Sequence, residues 1–174
     1  MTNETLHTLL TRRSCRSYQD APVPPELLDA VLEAGTYAPS AKNCQSAKIV
    51  VVQDKATRDE LSRMNAAVMG REGTDPFYGA PVVLVVLADA NNPNGVYDGS
   101  LVMGNLMNAA AAVGLGSCWI NRAREEFESD EGKALLKAWG IGGEWVGIGH
   151  CILGLPAAPN AAPKPRKADY IVRV

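Results

Sequence analysis

A run of six consecutive apolar residues, Val82-Val83-Leu84-Val85-Val86-Leu87, follows Ala80-Pro81 and limits the folds that the chain can adopt. The run is rich in β-branched side chains, which is typical of strands. Continuous apolarity over this length predicts a strand that is buried on both faces of its sheet. Because such a strand needs packing on each side, we expect helices to cover both faces.

The other periodic segments mix helix and strand. Apolar residues at helical spacing, with proline and capping signals, predict helices over residues 2–11, 24–35, 56–69, 100–113 and 125–139, the last one polar and on the surface. Apolar runs and alternation predict further strands over residues 49–52, 114–120, 145–153 and 169–174. Residues 38–43 are predicted to form a loop or a short helical turn, with Ser40 as its N-cap.

Two segments indicate contact with a second chain. The helix over residues 100–113 carries many small residues and is apolar almost all round, so we expect deep burial and a subunit interface. The proline-rich segment 157–165 is predicted to be extended. The tail after it alternates like a strand that pairs with the sheet edge of another chain. The sequence therefore predicts a homodimer.

Bulk composition argues against several classes of protein. A length of 174 residues fits one domain, and the net charge of −2 argues against nucleic-acid binding. No run of 18 apolar residues occurs and Met1–Leu10 has no apolar signal core, so we expect a cytoplasmic protein without a membrane span. The four cysteines form no CxxC pair, and with two histidines they give no metal-ligand spacing. We therefore expect free thiols and no metal.

Motifs of several common catalytic classes are missing from the sequence. Gly114-Leu115-Gly116 is followed by Trp119 where the dinucleotide fingerprint needs a third glycine. The sequence holds neither a G-x-x-x-x-G-K-S/T phosphate loop nor a G-x-S-x-G nucleophile elbow. His150 stands beside Cys151 in an apolar strand, where we expect a core residue rather than a Cys-His hydrolase pair. Any chemistry is then expected to come from an organic cofactor.

Basic residues concentrate near both ends of the chain. Arg12, Arg13 and Arg16 surround Ser14, and Lys164-Pro165-Arg166 lies close to the C-terminus. Arginine forks match phosphate oxygens in a bidentate geometry, so the two ends together could hold a small anion. The alternative is two solvated charge runs, in which Arg13 pairs with a surface carboxylate.

Five segments, in this order along the chain, together resemble the nitroreductase family. They are Arg12–Arg16, Ala38–Gln45, Ala80-Pro81 with its strand, Gly114–Ile120 and Lys164–Arg166. The resemblance implies an α+β fold of three layers, with a central mixed, mostly antiparallel sheet flanked by helices. It also implies that residues 1–174 form a single FMN-binding domain whose C-terminal arm is exchanged with a dimer partner.

The resemblance also implies which residues contact the FMN phosphate. The phosphate-binding cations would be Arg12, Arg16, Lys164 and Arg166. Arg13 and Ser14 would support the phosphate and ribityl groups. Two departures concern the acceptor side of the site: Ser46-Ala47 stands where the family often has a proline and an aromatic residue, and the long insertion of larger members is absent. These departures leave the substrate open and do not affect the flavin.

The remaining implied contacts surround the flavin ring. Asn43 would hydrogen-bond the polar edge of the ring, with Gln45 nearby. Pro39 and Ser40 would come from the second subunit. The backbone groups that approach the reactive side of the ring would belong to Trp119, Ile120 and Asn121. The alternatives are that Asn43 only caps a turn, and that Trp119, Trp145 and Cys118 only pack in the core.

The activity that the resemblance implies is FMN-dependent oxidation of NADH or NADPH. Hydride would pass to the flavin and then to a nitroaromatic, a quinone or another electron-poor acceptor by a ping-pong mechanism. Catalysis would rest on FMN at the subunit interface of a homodimer, with no catalytic side chain. A specialised flavin-dependent oxidase, dehydrogenase or dehalogenase remains an alternative. So do a flavin-binding module without turnover and a purely structural dimerisation domain.

Overall fold

The apolar run forms the central part of a four-stranded sheet in a computed structural model that describes residues 3–159 and 161–174. The strands are β1 (Ala47–Val52), β2 (Val82–Asp89), β3 (Gly116–Ile120) and β4 (Trp145–Gly154). The helices are α1 (Glu4–Thr11), α2 (Pro25–Thr36), α3 (Lys55–Val68), α4 (Gly95–Ala112), α5 (Ala123–Glu128) and α6 (Asp130–Ala138). A short 3-10 helix spans Ala41–Asn43. The predicted first helix begins at Thr2, which lies outside the described residues.

The sheet has the strand order β1-β2-β4-β3, and its neighbouring strands are all antiparallel. Side chains of β2 alternate between two buried clusters: Val82, Leu84 and Val86 pack on one face, and Val83 and Val85 on the other. Helices α2 and α4 cover the first face, and α3, α5 and α6 cover the second. The predicted burial of β2 on both faces and the α+β fold are confirmed.

Helix starts follow from local capping chemistry. Helix α2 has Pro25 in its first turn, where the missing N–H costs nothing. Asp54 caps α3 by accepting a hydrogen bond from the Thr57 amide at 2.8 Å. Ser40 occupies the N-cap position of the 3-10 helix without a capping side-chain bond, and its Oγ accepts from the Gln45 amide at 3.0 Å instead.

The prediction of one polar surface helix over residues 125–139 is wrong. Ser129 adopts an extended conformation that ends α5, and its Oγ caps α6 by accepting from the Gly132 amide at 3.0 Å. Helix α5 also buries Glu126 and Phe127 against β4. A Cβ at Gly132 would lie 2.0 Å from the Glu126 carbonyl oxygen, so the sharp turn between the helices requires glycine.

Helix α4 begins five residues before its predicted start and is buried on one side only. Met103, Leu106 and Ala110 face the core, whereas Tyr97 and Leu101 on the outer side are 69% and 47% exposed. The expectation of burial all round is therefore not met within one chain. The described helices include none that is both long enough and apolar enough to cross a bilayer.

The C-terminal residues 161–174 are exposed and form no strand within one chain. The predicted arm 157–165 includes Asn160, which lies outside the described residues. The tail carries exposed apolar side chains, with Ile171 and Val172 at 74% and 79% exposure. The strand over residues 169–174 was predicted to form against another chain, so its pairing stays a prediction.

Candidate functional site

The basic segment at residues 12–16 runs beside the edge strand β3. The Cys15 amide donates to the Ser117 carbonyl at 2.9 Å, and Ser14 forms an isolated parallel bridge with the same residue. The Cys15 side chain lies against Gly116, where an added Cβ would approach its Sγ to 2.7 Å. This close approach brings the arginines to the edge of the sheet that continues into Trp119, Ile120 and Asn121.

The arginines of this segment carry unsatisfied donors. Arg12 Nη1 and Arg13 Nε are buried and have no hydrogen-bond partner among the described residues. Arg13 Nη1 instead donates to the Leu10 carbonyl at 3.0 Å. Within the described part of the chain, no carboxylate pairs with Arg12, Arg13 or Arg16, so the surface ion pair considered for Arg13 is not formed. Arg12 and Arg13 are half-buried, and a buried donor atom without a partner is costly, which makes this segment suited to an anion.

A cleft of about 360 Å³ lies where this segment meets the end of β3. Four of its lining residues were predicted as site residues: Arg16, Trp119, Ile120 and Asn121. The others, which sequence reasoning missed, are Met69, Arg71, Thr74, Asp75, Pro76, Tyr78 and Arg122. Most of the missed residues belong to the segment 70–79, whose glycines and proline indicated only a loop. The Arg16 guanidinium lies 5.9 Å from the centre of the Tyr78 ring, within cation–π range.

The loop wall of the cleft is anchored through Asp75. Its carboxylate accepts from Arg58 Nη2 at 2.5 Å, from Ser62 Oγ at 2.6 Å, and from the Phe77 and Gly79 amides at 2.9 Å and 2.7 Å. Burial by itself would raise the pKa of Asp75, but these hydrogen bonds outweigh it and the pKa lies below its ordinary value. Asp75 is therefore ionised at neutral pH and already paired.

A buried polar network forms the floor beneath the end of β3. His150 Nε2 lies 2.9 Å from Glu126 Oε2, and Asn65 donates to the other oxygen of Glu126. The Asn65 amide also donates to the Asn121 carbonyl at 2.8 Å, and its Oδ1 accepts from Arg122 Nε at 2.9 Å. Arg122 has φ of 79°, a left-handed conformation that costs a non-glycine residue about 1–2 kcal/mol. The network holds the Asn121–Arg122 turn at the cleft.

His150 and Cys151 do not form a catalytic pair. Neighbouring residues on a strand point to opposite faces, and Cys151 packs with the α2/α4 side while His150 contacts Phe77 on the other. Burial raises the pKa of Cys151 to about 12, so its thiol stays protonated. The prediction that His150 is a core residue is confirmed.

Trp119 both packs in the core and borders the cleft. An added Cβ at Gly149 would approach its Nε1 to 2.3 Å, so glycine lets the indole lie across β4. Cys118 is buried, as expected for a packing residue, and Trp145 packs at the margin of the second core cluster. All four cysteines are free thiols.

The second predicted group of site residues lies in a separate pocket of about 320 Å³. Pro39, Ser40 and Gln45 line it, together with Asp98 and Ser46. Asp98 fixes this loop by accepting from the Ala41 amide and from Ser46 Oγ, each at 2.9 Å. The lining residues of this pocket are all different from those of the cleft beside β3.

Backbone strain marks the same loop. Asn43 and Gln45 have φ of 55° and 49°, and Lys42 has φ of 53°. The Asn43 carboxamide accepts from Gln45 Nε2 at 3.2 Å, and no backbone capping bond by its side chain is present in the described residues. Both side chains are exposed. Conformations of this kind are over-represented at ligand sites.

Lys164 and Arg166 lie in the exposed C-terminal arm. Arg166 donates to the Lys164 carbonyl from Nε at 3.2 Å and from Nη2 at 2.7 Å. In the described part of a single chain, no side-chain hydrogen bond joins Lys164 or Arg166 to residues 12–16. The predicted meeting of the two basic segments therefore involves either a moved arm or a second subunit, and it stays a prediction.

The antiparallel sheet between two helical layers, with a cationic cleft at its edge strand, defines an α+β protein with a candidate anion site. The family model for the nitroreductase family matches residues 9–155 of this chain. The chain belongs to the nitroreductase family, which confirms the resemblance seen in its motifs.

Relatives of known sequence agree with this assignment. A protein of Thermus thermophilus named NADH dehydrogenase is 34% identical over 171 residues, covering 94% of this chain and 76% of its own length. A Bacillus subtilis protein named FMN reductase (NAD(P)H) is 31% identical over 145 residues, covering 70% of this chain. This chain spans only 55% of the length of the B. subtilis protein.

Solved structures match over the full chain. A nitroreductase with bound FMN from Bacteroides fragilis superposes with a TM-score of 0.91 at 29% identity, covering 99% of this chain and 100% of its own. A nitroreductase with bound FMN from Desulfitobacterium hafniense gives a TM-score of 0.89 at 26% identity, with full coverage of both chains.

Proposed function

We propose that this protein is an FMN-dependent NAD(P)H oxidoreductase. The observation that carries the proposal is the pair of buried, partnerless donor atoms on Arg12 and Arg13, in the segment whose Arg16 lines the cleft at the end of β3. Half-buried guanidinium groups whose buried donor atoms lack both a hydrogen-bond partner and a counter-charge are suited to an anion, and the phosphate of FMN supplies one. The FMN bound in the two structural relatives supports this choice of ligand.

The phosphate would be bound by residues from both ends of the chain. Arg12, Arg13 and Arg16 would supply guanidinium donors, and Ser14 would supply a hydroxyl. A phosphate monoester carries about −1.5 to −2 charges near neutral pH and three acceptor oxygens, which suits several donors at once. Lys164 and Arg166 would complete the phosphate site through the C-terminal arm.

The flavin ring would lie in the cleft against the backbone of Trp119, Ile120 and Asn121. When bound, FMN accepts a hydride from NADH or NADPH and passes two electrons to a second substrate. The chain's own contribution is to orient the ring and to keep one face open to small molecules. We propose nitroaromatics, quinones or similar electron-poor compounds as acceptors, reduced in a ping-pong sequence.

The site would be completed by a second subunit. Pro39 and Ser40 line a pocket apart from the cleft, so in a homodimer they would reach the flavin of the partner, where Asn43 and Gln45 would contact the polar edge of a flavin ring. The exposed outer side of α4, with Tyr97 and Leu101, offers an apolar surface for such a dimer. The exposed apolar tail fits the proposed exchange of arms. The predicted cytoplasmic location stays an expectation from the sequence.

The purified protein is expected to be yellow, to show a flavin absorption spectrum, and to sediment as a dimer. NADH or NADPH under nitrogen should bleach the flavin band, and a nitroaromatic or quinone should restore it. Absorbance spectroscopy in an anaerobic cuvette measures both steps. A colourless protein that rejects added FMN contradicts the proposal, and a folded, flavin-loaded monomer contradicts the dimer. Bound flavin that NAD(P)H does not bleach would favour a binding module without turnover.

A further inference from the structure

Three guanidinium groups from distant segments line the cleft beside β3. Arg16 follows α1, Arg71 lies between α3 and β2, and Arg122 follows β3. Within the described part of the chain, no carboxylate lies at ion-pair distance from any of them. Asp75, the one carboxylate among the described lining residues, is already engaged by Arg58. The cleft is therefore cationic in a chain whose net charge is −2.

Arg122 is held in place by a buried scaffold. Its Nε donates to Asn65 Oδ1 at 2.9 Å, and Asn65 is completely buried. Asn65 in turn donates to Glu126 and to the Asn121 carbonyl. The terminal nitrogens of Arg122 have no hydrogen-bond partner among the described residues. A strained, anchored arginine with free donors at a cavity wall has the properties of a ligand-recognition group.

The charge of FMN does not account for all of these cations. Its phosphate carries at most about −2 charges. The proposed function already assigns five cations to it: Arg12, Arg13, Arg16, Lys164 and Arg166. Arg71 and Arg122 come from two other segments and remain available. A second anionic group in the same cleft would match them.

We propose that Arg71 and Arg122 bind an anionic oxygen group, a carboxylate or a phosphate, on the small molecule that exchanges electrons with the flavin. The two arginines are thus specificity-determining residues that favour an anionic donor or acceptor over a neutral or less charged analogue. This inference rests on the proposed function and identifies the substrate class of the same site. The anion has two possible sources: the extra phosphate of NADPH, or an acid group on the acceptor.

The test compares Arg122→Gly and Arg71→Gln with the parent protein. The donor arm measures kcat/KM for NADPH and NADH, and the acceptor arm measures kcat/KM for 4-nitrobenzoate and 4-nitrobenzamide. In either the donor arm or the acceptor arm, each variant should lower the ratio of kcat/KM for the more anionic substrate to kcat/KM for the less anionic one. The expected decrease is about 10- to 100-fold, as for the loss of a hydrogen bond to a charged group. Calorimetric titration with benzoate and benzamide gives a readout that does not depend on turnover.

Glycine accepts the left-handed backbone at position 122, but Arg122→Gly also leaves the Asn65 Oδ1 acceptor unpaired. Arg71→Gln leaves the Asn65 hydrogen bonds intact, so a loss of selectivity shared by both variants does not arise from unfolding. Arg124→Gln is the matched control, because it removes the same charge two residues away on an exposed side chain paired with Glu128. This control should leave all ratios unchanged. Flavin-loaded, bleachable protein with unchanged ratios in both arms and unchanged benzoate affinity would overturn this inference alone. A colourless protein that takes up no FMN would overturn the proposed function itself.

Discussion

Replacing Glu126 by alanine is expected to lower the free energy of unfolding by about 2–6 kcal/mol, because two buried hydrogen-bonding groups each lose a partner at roughly 1–3 kcal/mol. Glu126 is 1% exposed, and its carboxylate contacts both His150 and Asn65. The substitution leaves His150 Nε2 without its partner and removes one of the hydrogen bonds that Asn65 donates, and it opens a cavity in the buried network. Urea unfolding followed by tryptophan fluorescence measures the loss.

The matched control is Glu125→Ala, which removes an exposed carboxylate one residue earlier in the same helix. Its effect should stay within about 0.5 kcal/mol, as is usual for surface substitutions. If Glu126→Ala differed from the parent by no more than this control, the network would not be the structural floor of the cleft.

Replacing Arg12 by alanine is expected to raise the dissociation constant of FMN by about 100-fold or more. A guanidinium fork that makes two charge-assisted hydrogen bonds to a phosphate contributes about 3–6 kcal/mol, at roughly 1.5–3 kcal/mol for each bond. The stability of the flavin-free protein should not fall, because Arg12 Nη1 is a buried donor without a partner and its removal takes away an uncompensated charge. Titration of the apoprotein with FMN, followed by flavin fluorescence, gives the dissociation constant.

Arg63→Ala is the control for this substitution, since Arg63 pairs with Glu131 on the surface and lines neither of the two pockets assigned to the site. Arg16→Ala and Arg166→Ala should act in the same direction as Arg12→Ala. Unchanged FMN affinity in the Arg12 variant would remove the phosphate assignment, and with it the main support for the proposed function.

Local patterns in the sequence were sufficient to predict most of the helices and strands. The apolar run at residues 82–87 predicted β2 with burial on both faces, because a continuous run leaves neither face of a strand polar. Pro25 marked the start of α2, since proline fits only the first turn of a helix. Five short segments, among them the arginine segment and the loop before β1, carried the resemblance to the family that the match over residues 9–155 confirmed.

Long-range contacts decided what these patterns missed. Glu126 sits in a polar stretch that indicates a solvated helix, and only the approach of His150 from β4 makes it a buried partner. Arg71 and Tyr78 lie in a loop without periodicity, and they line the cleft because Asp75 fixes that loop over the end of β3.

The sequence by itself determined the order of helices and strands, the buried central strand and the family, because each of these is encoded in residues close together along the chain. The tertiary structure decided which charges are buried, how α5 and α6 divide, and which arginines share a cleft. These features depend on side chains that meet across the fold, such as Asn65 and Arg122, which are 57 positions apart in the chain. The residues that flank one partner of such a pair in the sequence do not indicate which distant residue it will contact.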